Sequence, residues 1–320
     1  MITHARRSPI ATSFTPAASP LLPDARALGH AAVLALYDEL ALAPKPGLVS
    51  FEDTGSHDDM DAHTFMRSLF ALRHDFVRLA RLGEAGAAFA ELQTCGIAAE
   101  TRMLAATGGV NTHRGAIFTL GLLCASAGAL HREALPLRAD ALREALQQQW
   151  GPALSTKAAQ TSLLPGGQAT RRHGLRGAAA EAAAGFPVLF EVAAPTLALG
   201  LARGDSPRHA RIDTLFAVMA VLDDSNLVHR GGMAALRDVQ GAAREFMAAG
   251  GAAAPGGIAR ARTLHHALMA RRLSPGGAAD LLAAACWLAR IGALPAPAAA
   301  MRPEAANATL AGAPLATVTP

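Results

Sequence analysis

The stretch that decides the fold is "HTFMRSLFALRHDFVRLARL", residues 63–82. Phe65, Leu69, Leu72, Phe76 and Leu79 recur at steps of three and four, so they form one apolar stripe on a helix. The same period recurs outward in both directions. Upstream, an amphipathic helix is predicted from Asp24 to Ala43, where "PKPG" stops it. Downstream, helical patterns cover about 86–106, 113–130, 134–149, 188–202, 208–222, 231–248, 256–272 and 276–291, separated by Gly and Pro. No segment alternates as a strand does, and no strand–helix–strand rhythm appears. Alanine is abundant and aromatic residues make up only 4% of the chain, a composition that favours helix over sheet. The prediction is an all-α fold, a single multi-helix domain over residues 24–292 with polar motifs at helix entrances. Residues 1–23, rich in Ser, Thr, Pro and Ala, and the Ala/Pro-rich 293–320 read as loose tails.

The 320 residues carry a net charge of +4, and 51% of them are apolar. Lys45 and Lys157 are the only lysines among 29 basic residues, and the arginines are scattered rather than striped. Nucleic-acid binding is therefore not expected, whereas a small polyanion suits the charge. Cys95, Cys124 and Cys286 are widely spaced in apolar surroundings and read as free thiols. With no secretory pattern at the start, and with Phe118–Leu130 too short to span a bilayer, a cytoplasmic location is expected.

Polar residues gather at four joints between helices. In "GSHDDMDAHTF", residues 55–65, His57, Asp58, Asp59, Asp61 and His63 crowd together. Ser56 with Asp59 could form a capping box, and His57/Asp61 and Asp59/His63 would pair on a helix face. Three acids with two imidazoles exceed what capping needs, and clustered oxygen ligands suit Mg²⁺. Both readings stay open on the residues alone. In "GGVNTHRGAIF", residues 108–118, Asn111 or Thr112 can cap a helix whose free N–H groups would meet an anion, with His113 and Arg114 adding donors. "DDSNLVHRGG", residues 223–232, repeats His-Arg-Gly after Asp223 and Asp224, and "SPGGAADLL", residues 274–282, carries Asp280. Lys45, stiffened between Pro44 and Pro46, is a compact point charge in an arginine-rich chain. Phosphate-loop, dinucleotide-binding, GxSxG and HExxH patterns are absent.

Taken in series, "PKPGLV", "GSHDDMD", "GVNTHRGAIF", "DSNLVHRGG" and "SPGGAADLL" resemble the triphosphoribosyl-dephospho-CoA synthases, over roughly residues 30–290. The stretch "GLRGAAAEAAAGFP", residues 174–187, matches less well: Ala179 stands where an Arg is common, leaving Glu181 as the polar residue there. The resemblance implies transfer of the triphosphoribosyl group of ATP to the 2′-hydroxyl of 3′-dephospho-CoA with release of adenine. The product would pass to a holo-acyl-carrier-protein transferase serving malonate decarboxylase or citrate lyase. The wording of residues 39–61 and the lack of a fused transferase domain favour the malonate branch. The resemblance further implies Mg²⁺ on Asp59 and Asp61, and phosphates met by Lys45, Asn111, His113, Arg114, His229 and Arg230. His57 falls on the family pattern and joins the catalytic set. Asp224 would be base or cation stabiliser, and Asn226 and Asp280 would orient neighbours. A homo-oligomer is compatible with this reading. Two other functions fit the same residues: a Mg²⁺-dependent helical hydrolase of an ADP-ribose-type N-glycosidic bond, and a non-catalytic nucleotide-binding scaffold.

Overall fold

In a computed structural model, which describes residues 23–160 and 165–297, the decisive stripe divides into two helices, α2 (Ala62–Leu72) and α3 (Asp75–Glu84). The break at Arg73 and His74 contains neither Gly nor Pro, so nothing local announces it. A long-range tie accompanies it: Arg102 grips the buried Asp75 with both Nε and Nη2. Leu69, Leu72, Phe76 and Leu79 still share one core.

Around this pair lie α1 (Ala25–Leu40), α4 (Phe89–Thr107), α5 (Arg114–Arg132) and α6 (Ala139–Ala159). After these come α7 (Pro165–His173), α8 (Ala178–Ala183), a π-helical turn (Val188–Ala193), α9 (Ala194–Ala202) and α10 (Pro207–Met219). The chain closes with α11 (Ser225–Ala248), α12 (Gly257–Ala270) and α13 (Gly276–Arg290). No strand occurs among the described residues, so the all-α expectation holds. The predicted loose tails lie largely outside the described residues.

Several boundaries differ from expectation. α6 runs ten residues past 149 and through Pro152, held by buried Leu154 and by Trp150, whose Nε1 donates to Ala87 O at 3.0 Å. α11 begins at Ser225 rather than 231, and its backbone breaks at Gly232 (φ 72°, ψ −175°). α7 carries too few apolar residues to register as periodic, and α8, alanine at every position but Glu181, is too short. α5 is the central element, 19 residues long and largely buried against α1, α3 and α13. It is longer than the 13-residue run read from the sequence and has the length and apolarity to cross a membrane, but 78% of its apolar window is buried inside the fold. Its crossing with α3 is very close: a Cβ on Gly83 would stand 1.9 Å from Ala125 O, and one on Gly128 2.0 Å from Ala80 O. Only glycine permits that approach. Trp287 of α13 donates from Nε1 to Leu28 O at 3.1 Å, pinning α13 to α1. Cys124 and Cys286 are buried free thiols, with Cys286 pushed up to about 12 by burial, and Cys95 is half-buried.

Candidate active site

The four polar joints meet at one end of the bundle. Asp224 caps α11, its Oδ1 accepting from Asn226 N at 2.9 Å, while its Oδ2 accepts from Ala278 N of α13 at 3.1 Å. The third and fourth joints are thus pinned by one buried carboxylate. Asp280, one turn into α13, lies against the first turn of α5. There it accepts from the Ala116 N–H, and a Cβ on Gly115 would stand 1.9 Å from its Oδ2. That glycine lets the second joint reach the fourth. The first joint closes the ring: His57 Nε2 is 3.0 Å from Ser274 Oγ, and Arg230 reaches His57 Nδ1 at 3.3 Å and Ser56 O at 3.4 Å.

The "GSHDDMD" stretch is a loop, not a helix. The predicted cap at Ser56 is therefore wrong: Ser56 Oγ donates to Leu273 O at 2.6 Å, and Asp61 is the cap, with Thr64 completing the box. Asp61 Oδ1 accepts from Thr64 N at 2.8 Å and from Thr64 Oγ1 at 2.7 Å, which holds its carboxyl below the usual range. The helical i,i+4 pairs are replaced by a looser contact, His57 Nδ1 to Asp59 Oδ1 at 3.5 Å. Burial, then the Arg230 guanidinium, holds His57 below the usual imidazole value, with Asp59 opposing. Asp61→Ala should cost about 1 kcal/mol of stability and Asp61→Asn much less, because Asn also caps. Urea unfolding of the two variants tests this.

Lys45 does not lie at a phosphate-facing surface. Its Nζ sits 2.5 Å from Glu39 Oε1, and Lys45 is only 1% exposed. Burial pushes Glu39 up and Lys45 down, and their mutual attraction opposes both shifts. Burial alone also raises Asp224, against the hydrogen bonds it accepts. Asp280 is raised well above the ordinary carboxylate range, first by desolvation and then by the like charges of Asp224 and Glu39. His113 is pulled down to about 3 by burial and by Lys45, so its ring is neutral at physiological pH. Three carboxylates against one lysine leave the interior net negative when ionised. At the rim the Arg230 guanidinium lies beside His57, with Asp59 on the other side of that imidazole.

The two His-Arg-Gly sequences are not equivalent. His113 is the N-cap residue of α5 and buried, and Arg114 N donates to Asn111 Oδ1 at 3.1 Å. Arg114 itself is tied to Glu100, its Nε 2.5 Å from Oε1. His229 and Arg230 lie inside the first turns of α11, ahead of the break at Gly232, and both are exposed. Asn226 is exposed beside Gly276. Glu181 is buried and serves the fold, accepting from Val188 N at 2.7 Å. Among the described residues no group of three or more His, Cys, Asp or Glu is placed to hold a metal. Asp59 and Asp61 offer one or two carboxylate oxygens, as many as Mg²⁺ needs when phosphates and waters fill its other positions.

Three residues of the site escape a sequence reading. Glu39 hides in the last turn of an ordinary amphipathic helix. Ser68 sits mid-helix, yet its Oγ is 2.6 Å from His113 Nδ1. His265 lies in an unremarkable stretch of α12 and supports the "PKPG" loop, with Nδ1 2.7 Å from Lys45 O and Nε2 2.9 Å from Asp53 Oδ2.

Comparison with known proteins follows the same residues. The chain matches the family model CitG, ATP:dephospho-CoA triphosphoribosyl transferase, over residues 25–297. It is 39% identical over 279 residues to the 2-(5''-triphosphoribosyl)-3'-dephosphocoenzyme-A synthase of Klebsiella pneumoniae, covering 85% of this chain and 98% of the relative. Probable synthases of the same name are 40% identical in Azotobacter vinelandii (81% of this chain, 89% of the relative) and 36% identical in Acinetobacter calcoaceticus (80% and 88%). No solved structure matches the chain.

Proposed function

Because the chain belongs to the ATP:dephospho-CoA triphosphoribosyl transferase family, we propose that it moves the 5-triphosphoribosyl group of ATP to the 2′-hydroxyl of 3′-dephospho-CoA and releases adenine. The observation that carries this reading is the meeting of all four polar joints, with Glu39, Asp224 and Asp280 beneath a rim of His57 and Arg230. Breaking a ribose C1′–N bond builds positive charge on the sugar, which an ionised carboxylate such as Asp224, held by backbone N–H groups, stabilises. The triphosphate needs cationic donors, and Arg230 at the rim supplies a fork of them. The decisive assay is adenine release from ATP. Release that requires dephospho-CoA supports the transferase; equal release without it would make the protein an N-glycosyl hydrolase, and no release with any acceptor would leave a binding protein.

One proton must pass from the acceptor hydroxyl to the departing adenine. Asp280 is the group suited to hold it, since its surroundings favour the protonated carboxyl. Of the two roles expected from the sequence, base or cation stabiliser, Asp224 is better suited to the second, because both its oxygens are engaged by backbone N–H groups that fix the two helix ends. Mg²⁺ enters as part of the substrate: bound to the triphosphate, it would neutralise phosphate charge and take Asp59 and Asp61 as additional ligands. Asp61→Asn should then lower turnover by about a hundredfold or more while stability barely moves. Unchanged turnover in that variant would leave Asp61 with capping alone.

Arg230→Ala should raise the apparent KM for ATP about ten- to a hundredfold, the cost of one bond to a charged group, with a smaller effect on dephospho-CoA. Arg230→Lys should recover part, keeping the charge but losing the fork. Arg114→Ala should act less directly, because Glu100 already holds that guanidinium. Steady-state kinetics with each substrate varied in turn distinguish these effects. We place the product in the malonate decarboxylase branch, on the resemblance of residues 39–61. Acceptance of the product by the holo-acyl-carrier-protein transferase of one branch and not the other tests that choice. The free thiols fit a reducing, cytoplasmic compartment.

A further inference from the structure

His113 is 3% exposed, and only one of its ring nitrogens is satisfied. Nδ1 is 2.6 Å from Ser68 Oγ, whereas Nε2 is buried with no partner. The neighbouring Thr112 Oγ1 is also buried without one. Two adjacent unpaired polar atoms, at the helix entrance that Asp280 also meets, are what a site leaves for its ligand to complete, since each otherwise costs free energy in the folded state. The ring cannot turn freely: Phe65 stands edge-on to it at 4.9 Å, and its backbone N–H lies 3.2 Å from Met103 Sδ.

The direction of the Ser68 hydrogen bond follows from counting protons. Ser68 is fully buried, and Nδ1 is the only acceptor that its hydroxyl finds among the described residues. Were Nδ1 to carry the proton and donate it to Oγ, the serine hydroxyl proton would be buried with nowhere to go. The hydroxyl therefore donates to Nδ1, and the single ring proton of a neutral imidazole resides on Nε2. We propose that Ser68 is a positioning residue that fixes His113 as the Nε2–H tautomer, so that the site presents one neutral N–H donor to a proton-free acceptor atom of the nucleotide, a phosphate oxygen or an adenine ring nitrogen. His113 then contributes direction rather than charge, unlike the cationic Arg230. The identity of the acceptor atom rests on the transferase reading; the tautomer does not.

The test begins with the ligand-free enzyme labelled with ¹⁵N in its histidine rings. The expected His113 signals are a pyridine-type Nδ1 and a pyrrole-type Nε2. A pyrrole-type Nδ1, or two protonated nitrogens at neutral pH, would overturn the assignment. Ser68→Ala should leave Nδ1 without its donor and mix the tautomers. An unchanged tautomer in that variant, with the fold intact, would remove Ser68 from the role. Should Ser68→Ala fail to fold, the His113 variants still decide. His113→Gln places an amide N–H near the Nε2 position and should retain most of kcat/KM, whereas His113→Asn mimics Nδ1 and should lose about tenfold for an adenine nitrogen and up to about a hundredfold for a phosphate oxygen. Equal losses in both variants would overturn the donor role. Adding ATP should shift Nε2 alone; a shift at Nδ1 instead would place the ligand on the wrong side of the ring. If adenine release fails in wild-type enzyme while the tautomer is as stated, the transferase reading falls and the tautomer assignment survives.

Discussion

Asp280→Asn should abolish most turnover while making the protein more stable near neutral pH. The substitution keeps shape and leaves an oxygen to accept from Ala116 N–H, so α13 and α5 remain joined. Loss of the proton-holding group should cost about 10²–10⁴ in kcat, the usual contribution of general acid–base catalysis. The stability gain follows from linkage. Asp280 resists ionisation in the folded state because of burial and of Asp224 and Glu39, while in the unfolded chain it ionises in the ordinary carboxylate range. Protons are thus bound more tightly by the folded protein. Wild-type stability should fall as pH rises above the ordinary carboxylate range and on through the raised folded value, whereas the Asn variant should lack that fall. Urea unfolding of both proteins between acid and neutral pH checks the sign. A variant that is less stable at neutral pH and keeps its turnover would make Asp280 a structural residue.

Lys45→Met should produce the largest stability loss of any single change at the site. It removes the partner of Glu39, which is fully enclosed, and breaking a buried pair from one side costs about 3–5 kcal/mol. The double variant Glu39→Leu/Lys45→Met should recover most of that loss, because an apolar pair of similar volume needs no compensation. Adenine release should remain depressed in the double variant, since the Lys45 charge also contributes to the field around His113. If activity returned together with stability, the pair would be purely architectural.

How far the sequence could be read depended on the range of each interaction. The Phe65 to Leu79 stripe is visible because helix periodicity is local; its division at Arg73 is not, because the accompanying tie runs from Asp75 to Arg102 across 27 residues. The four joints stand out since polar residues are rare in this chain, but their roles shift once partners are known. Asp61 looked like a ligand and is also a cap; Asp224 looked like a base or cation stabiliser and also joins two helix ends through backbone N–H groups. Lys45 looked like a phosphate-binding point charge because its counter-ion, Glu39, lies on an ordinary helix. Ser68 and His265 carry no local mark at all, since a Ser or His within an apolar helix reads as filler until the fold brings its partner near.

The glycine crossing of α3 and α5 also divides the site into a fixed half and a compliant half. With backbone oxygens of one helix where the other would need side chains, neither helix can slide or roll without collision. His113, at the head of α5, therefore belongs to a rigid anvil. Arg230 is mounted differently, on the short run of α11 ahead of Gly232, where positive φ interrupts the helical ladder and a change of direction is cheap. The His113 side is thus braced by backbone against backbone, whereas the Arg230 side is held by its guanidinium alone, on Ser56 O, Arg272 O and His57.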